Sequence, residues 1–177
     1  MILRISLAAA AAALLVSQPA AAQQGGAAEA LVAKAAMKDA DGKDHGTVTL
    51  TQTPSGVLVH AELTGLTPGP HGFHFHAVGE CTPPFQSAGG HYNPDEAKHG
   101  FVSEDGPHAG DMPNIFADGS GNATADVLTA FVSLDENDEN SLFDEDGTAI
   151  MVHSGPDDYR TDPAGGSGNR MLCGLVE

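Results

Sequence analysis

From Leu31 to Val176 the apolar positions of the chain come in short bursts, several of them with a period of two. Val57, Val59, Ala61 and Leu63 alternate with Leu58, His60 and Glu62. That is the pattern of a strand with one face on a core. Ala33–Met37, Thr47–Thr51, Asn122–Val132, Thr148–His153 and Arg170–Val176 read as further strands, and Thr67-Pro68-Gly69-Pro70 breaks the chain before a short one at His71–His76. Two stretches, 77–120 and 154–169, carry Gly, Pro, Asp and polar residues with little periodicity, and Asp135–Asn140 is an acidic turn. No 3.6-residue apolar period occurs in this region, and no internal repeat. The prediction is an all-β fold, a Greek-key barrel or sandwich of about eight antiparallel strands with two long loops. A structureless loop as long as 77–120 inside a compact domain is usually functional, and something other than backbone ladders must organise it.

The N-terminus follows a different rule. Ile5–Val16 is an unbroken apolar run after Arg4, and Ala20-Ala21-Ala22 resembles a small-residue cleavage site. Twelve residues at 1.5 Å each are too short to span a bilayer, so 1–22 is expected to be a secretory signal, with 23–30 a flexible leader and 31–177 one domain. No cysteine lies near the proposed cleavage site to carry a lipid. Without Arg4, six basic residues face 24 acidic ones, a formal charge of −18. That balance disfavours nucleic acid and anionic membrane surfaces as partners. Cys81 and Cys173 are an even pair in an exported chain, more in keeping with a disulfide than with free thiols, and neither belongs to a CxxC.

Nine histidines remain, most of them just before and within the first irregular stretch. His74 and His76 leave the same face of their strand, and Phe73 and Phe75 the opposite, core-facing one. Alone, a solvent-facing histidine pair on a strand means little. But His91, His99, His108 and Asp111 follow at spacings of 8, 9 and 3 in the loop that needs an organiser. Three nitrogens and one carboxylate oxygen make the closed tetrahedral set that structural zinc prefers. His153, at a distant strand end, could join His74 and His76 in a nitrogen-rich site suited to Cu(II). Six imidazoles and a carboxylate suffice for two neighbouring metals.

At this point the sequence resembles a known family, the Cu/Zn superoxide dismutases, over essentially all of 31–176. The resemblance rests on Gly72-Phe73-His74-Phe75-His76, Ser87-Ala88-Gly89-Gly90-His91-Tyr92-Asn93-Pro94 and Lys98-His99-Gly100. It rests equally on His108-Ala109-Gly110-Asp111-Met112-Pro113-Asn114, Val152-His153 and Gly168-Asn169-Arg170-Met171-Leu172-Cys173-Gly174. The gaps around Cys81 are those of the bacterial, exported branch. The resemblance implies one copper held by His74, His76, His91 and His153, and one zinc held by His91, His99, His108 and Asp111. His91 would be the imidazolate shared by both and would carry a proton in turnover. Asp157 would bridge His74 and His99 from behind, and Arg170 would guide the substrate, superoxide. Cys81 and Cys173 would form the family's disulfide. His71 matches a histidine packed beneath the copper site and otherwise reads as a satisfied core residue. His45 and His60 match no ligand and are expected at the surface. The implied activity is dismutation of superoxide to dioxygen and hydrogen peroxide in the periplasm, and the resemblance is compatible with a monomer or a homodimer. The competing reading is a copper- or zinc-buffering protein or a metallochaperone without turnover, which would not need Arg170 together with the full ligand set. Gly165-Gly166-Ser167-Gly168-Asn169 departs from the family's usual spacing before the arginine, and 154–169 offers Arg160 where many relatives carry lysines.

Overall fold

The computed structural model describes residues 30–177; the expected signal at 1–22 and all but the last residue of the leader lie outside the described residues. The expected all-β architecture is what folds, with nine strands rather than about eight. They are β1 (Val32–Lys38), β2 (Asp44–Thr53), β3 (Gly56–Leu63), β4 (Gly69–His71), β5 (Phe73–His76), β6 (Ile115–Ala117), β7 (Ala123–Thr129), β8 (Ala149–His153) and β9 (Arg170–Leu175). Seven form one antiparallel sheet in the order β5-β8-β9-β1-β2-β3-β7, and β4 pairs with β6 in a second, small one. The small sheet lies between the two ends of the large one. β6 packs on β7, and only Gly72 separates β4 from β5.

The period-two segments behave as their sequences require. Along β3, Val57, Val59, Ala61 and Leu63 are buried, and along β1 Ala33, Ala35 and Met37 are. With Val48, Leu50, Phe73, Phe75, Ile150, Val152 and Leu172 they form the main core. β8 is buried along its whole length because its other face is covered too. There Ala149 and Met151 meet Phe85, Ala88 and Cys173. The Cys81–Cys173 disulfide joins positions 92 apart in sequence and ties the loop before His91 to β9.

Four expectations need correction. The stretch 77–120 is not wholly irregular. Ile115–Ala117 forms β6, a strand too short for periodicity to reveal, which exists because β4 offers it a partner. His71–His76 divides at Gly72 into strands of different sheets, and Asn122–Val132 shortens to Ala123–Thr129. His45 is 7% exposed rather than at the surface. The pairing of β1 with β2 shifts register, Met37 opposite Gly46 but Lys38 opposite Asp44. Such a bulge re-aims a side chain, and His45 turns inward to Thr64 O at 2.7 Å and Asp39 Oδ2 at 2.9 Å. His60 is partly exposed, 2.6 Å from Asp126 across the strands.

Candidate metal centre

β5 is an edge strand of the large sheet, and the loop that follows covers its free edge. Phe75 N donates to Gly110 O at 2.9 Å, Tyr92 N to Phe75 O at 2.8 Å, and Ala77 N to Gly90 O at 3.0 Å. Asp111 is thereby set beside His74 and His91 beside His76. The histidine face of β5 is therefore not solvent-facing: His74 is fully buried and His76 is 1% exposed. His153 ends β8, the strand paired with β5, so a residue 79 positions from His74 stands next to it.

Two groups of side chains result, with His91 in both. His74, His76, His91 and His153 place one nitrogen each within 4.8 Å of the others, and His91, His99, His108 and Asp111 do the same with three nitrogens and an oxygen. The first group has a conspicuous polar deficit. Nδ1 of His74 and Nε2 of His76, His91 and His153 are buried without a hydrogen-bond partner. Buried nitrogens are normally paired, and four lone pairs meeting at one point without a partner are the mark of a cation's place. Thr148 Oγ1 is the one other such atom among the described residues, outside both groups.

In the second group, Asp111 Oδ1 lies 2.8 Å from His91 Nδ1, 3.1 Å from His99 Nδ1 and 3.4 Å from His108 Nδ1. His108 Nδ1 is 3.4 Å from His91 Nδ1. A tetrahedron with metal bonds of 2.0–2.1 Å has edges of about 3.3–3.4 Å, so this set needs little adjustment to close on zinc. Asp111 keeps its other oxygen for the backbone N–H groups of Gly100 and His108, at 2.8 and 3.0 Å.

Behind both groups stands Asp157, 3% exposed. Its Oδ2 is 2.8 Å from His74 Nε2 and its Oδ1 2.9 Å from His99 Nε2. Both rings thus turn Nδ1 towards the metal positions. The approach of Asp157 to His99 depends on Gly165 (φ 61°), where any Cβ would fall on the carboxylate. His71 lies beneath, Nδ1 2.6 Å from His153 O and Nε2 2.7 Å from Thr67 O, a fully engaged core histidine.

Burial fixes the charge states. It pushes His91 down to about 4 and His153 to about 3, and lowers His74 and His76 as well. These four rings are neutral at physiological pH, with lone pairs free to bind a metal. Burial opposes charge on His99 too, but Asp111 and Asp157 on either side outweigh it and raise its pKa to about 9. Asp111 and Asp157 are held below the usual carboxylate range, their imidazole partners overcoming burial.

The first group reaches solvent through an opening of about 380 Å³ lined by His76, His91, His153, Pro163 and Arg170, among others. Of the Lys, Arg, Asp and Glu residues among the described residues, only Arg170 lines it. Lys98 stands outside, 3.4 Å from Asp162, and Arg160 is not on the lining either. Arg170 donates from Nη1 to Phe85 O and from Nη2 to Gly89 O, both at 2.6 Å. Phe85 belongs to the cluster around the disulfide, so this anchoring follows from the bridge.

The structure thus brings together all the residues that the sequence grouped. Sequence reasoning assigned nothing to Asn114 or Tyr159, yet Asn114 binds both backbone groups of Asp157 and Tyr159 binds Asn114. Asn114, three residues past Asp111 in a quoted motif, was within reach; Tyr159 carries no pattern.

Comparison with known proteins points the same way. The sequence profile of the family described as copper/zinc superoxide dismutase matches residues 44–176. The chain is 48% identical to Superoxide dismutase [Cu-Zn] 2 of Aquifex aeolicus over 84% of its length and 88% of the relative's. It is 47% identical to Superoxide dismutase [Cu-Zn] of Caulobacter vibrioides, over 82% and 85%. Among solved structures it is similar to a SOD-like protein from Bacillus subtilis (TM-score 0.78, 35% identity, 81% of this chain and 97% of that one). The Cu/Zn superoxide dismutase from Brucella abortus is also similar (TM-score 0.68, 31% identity, 83% and 100%).

Proposed function

The chain belongs to the copper/zinc superoxide dismutase family, and from that premise we propose which of its residues do what. The reaction takes two superoxide ions and two protons to one dioxygen and one hydrogen peroxide, with copper and zinc as cofactors. The observation that carries the residue assignment is the set of four unpartnered nitrogens at the floor of an opening whose one fixed charge is Arg170.

His74, His76, His91 and His153 hold copper; His91, His99, His108 and Asp111 hold zinc. Bound copper supplies one-electron redox chemistry between Cu(II) and Cu(I), and zinc, with no redox state of its own, supplies charge and shape. His91 serves both sites because its Nδ1 faces Asp111 while its Nε2 faces the other imidazoles. With Nδ1 engaged, Nε2 is the atom that can take up a proton and return it to a reduced oxygen species in the opening. Two of the five N–H donors of Arg170 are spent on carbonyls, which fixes the guanidinium; three remain for a small anion. Asp157 keeps the rings of His74 and His99 in the tautomers that bind metal.

Residues 1–22 act as an export signal, 23–30 as a leader and 31–177 as the catalytic domain, in the periplasm, where a disulfide is at home. No helix among the described residues is long and apolar enough to cross a membrane. The acidic balance argues against nucleic acid and anionic membrane surfaces. The exposed Leu128 and Phe131, on and just after the edge strand β7, are where a second copy could dock to make a homodimer.

The decisive experiment is a superoxide assay on protein loaded with copper and zinc. Turnover is expected from the wild type, and its loss from His76→Ala with zinc content still one per chain. A fully loaded wild type without turnover would return the chain to the metal-buffering reading.

A further inference from the structure

Tyr159 belongs neither to the two ligand groups nor to the lining of the opening, yet it is held at several points within the second long loop. It stands six residues after His153 with a backbone φ of 62°. Aromatic residues avoid that conformation unless the surroundings over-determine it, and such residues gather at functional sites. Four contacts over-determine it here. Its N–H donates to Asp157 Oδ1 at 2.6 Å. Its carbonyl accepts from Val102 N at 3.2 Å and presses on Gly100, where any Cβ would collide with it. Its ring packs on Phe101 at 5.6 Å between centroids. Its hydroxyl oxygen accepts from both the backbone N and Nδ2 of Asn114, each at 2.8 Å.

The last contact leads back to the metals. Asn114 Oδ1 accepts from Asp157 N at 2.8 Å, and its Nδ2 donates to Asp157 O at 2.9 Å. An amide that grips both backbone groups of one residue must keep its oxygen and nitrogen in the right order. Asp157 selects that order, since its N–H needs Oδ1 and its carbonyl needs Nδ2, and the Tyr159 oxygen holds the amide there by accepting from Nδ2 and from the backbone N–H of Asn114. Without the hydroxyl, two donors of Asn114 lose a partner in a half-buried place. The grip on Asp157 loosens, and with it the carboxylate that orients His74 and His99.

We propose that Tyr159 is a positioning residue for both metal sites: its hydroxyl fixes Asn114, Asn114 fixes the backbone of Asp157, and Asp157 aims His74 Nδ1 and His99 Nδ1 at copper and zinc. The proposal rests on the ligand assignment above, and it ties the segment after Asp111 to the segment after His153 by one side chain from each. Residues behind metal ligands typically control affinity by 10–100-fold, and a hydroxyl acting at one remove belongs at the lower end.

The test uses full-length protein loaded with copper and zinc. Tyr159→Phe keeps the ring against Phe101 and removes the oxygen alone. Zinc release to an excess of a chromophoric chelator is expected to quicken about tenfold, and the Cu(II) spectrum to change as His74 reorients. Asn114→Ala should match or exceed that rate, and Tyr159→Phe with Asn114→Ala should be no faster than Asn114→Ala alone, because the two act in series. Wild-type zinc release and an unchanged copper spectrum in Tyr159→Phe would overturn the proposal, as would effects that multiply in the double variant. Asp111→Ala is the control for the underlying assignment: if it retains zinc as the wild type does, the ligand set is wrong, and the proposal falls with it.

Discussion

At the scale of single residues, the site works by controlling which imidazole nitrogens carry protons. His91 and His153, with pKa values near 4 and 3, bind fewer protons folded than unfolded between those values and the ordinary 6.5. Their contribution to stability is complete above pH 6.5 and is lost as pH falls through 4 and 3. His99 runs the other way. With a folded pKa near 9, its contribution is complete below 6.5 and is lost as pH rises through 9. For these three groups together, the metal-free protein is most stable near pH 6.5 and weaker on either side. Zinc removes the alkaline decline, because it replaces the proton on His99. Denaturant midpoints from pH 4 to 10, with and without zinc, check both limbs; an alkaline limb that persists with zinc bound counts against His99 as a ligand.

At the scale of elements, two long loops are held by a few strong connections in place of continuous ladders. Residues 91–111 hang on the edge of β5 and on the convergence of His91, His99, His108 and Asp111. Asp111→Ala is expected to lower zinc affinity by more than about a hundredfold, beyond what residues behind the ligands usually control. It should also speed amide exchange through 91–111 while leaving β1–β3 protected, since their ladder and core are separate. Equal deprotection of both regions would mean that the loop is not organised by the metal. The loop before His91 depends on the disulfide, which the chain-entropy model credits with about 4.6 kcal/mol for a 92-residue closure. Strain and residual structure reduce such figures, so Cys173→Ala should cost about 2–4 kcal/mol and lower Tm by roughly 6–15 °C. It should also weaken the Phe85 and Gly89 anchors of Arg170. A thermal scan of the reduced wild type and the variant tests this, and identical Tm values in the oxidised wild type and the variant would refute it.

At the scale of the whole molecule, a chain of formal charge −17, or −18 without Arg4, turns over an anion. Charged clefts with low-dielectric walls focus the local field, an effect for which superoxide dismutases are a standing example. The opening is suited to it, since Arg170 lines it without a neighbouring carboxylate and Lys98 is already paired with Asp162. Carboxylates farther away than about 8 Å are screened at physiological salt. Arg170→Ala is therefore expected to lower the second-order rate about tenfold, the equivalent of one charge-assisted hydrogen bond of about 1.5 kcal/mol. Arg170→Lys should retain part of it as a charge without the planar fork. Rising ionic strength should slow the wild type. Pulse radiolysis over a salt series decides the matter, and a rate that rises with salt would mean that repulsion by the whole acidic surface governs approach.

Strands whose burial alternates at period two, such as Val57–Leu63, are legible in residue order alone, because a half-buried strand writes its two faces directly into it. The sequence also determined which side chains can ligate, because imidazole and carboxylate chemistry is local and Gly/Pro-rich stretches cannot hold a shape alone. The tertiary structure decided everything that depends on a partner distant in sequence. β6 exists because β4 lies beside it, and His45 is buried because a bulge turns it inward. The face of β5 that carries His74 and His76 is interior because a loop 35 residues long in sequence, ending at Asp111, folds back over it. Tyr159 acquires a role only where Asn114 meets it across 45 positions of chain. No local pattern encodes such meetings, since the free energy of each contact depends on two segments whose separation in sequence carries no information about their separation in space.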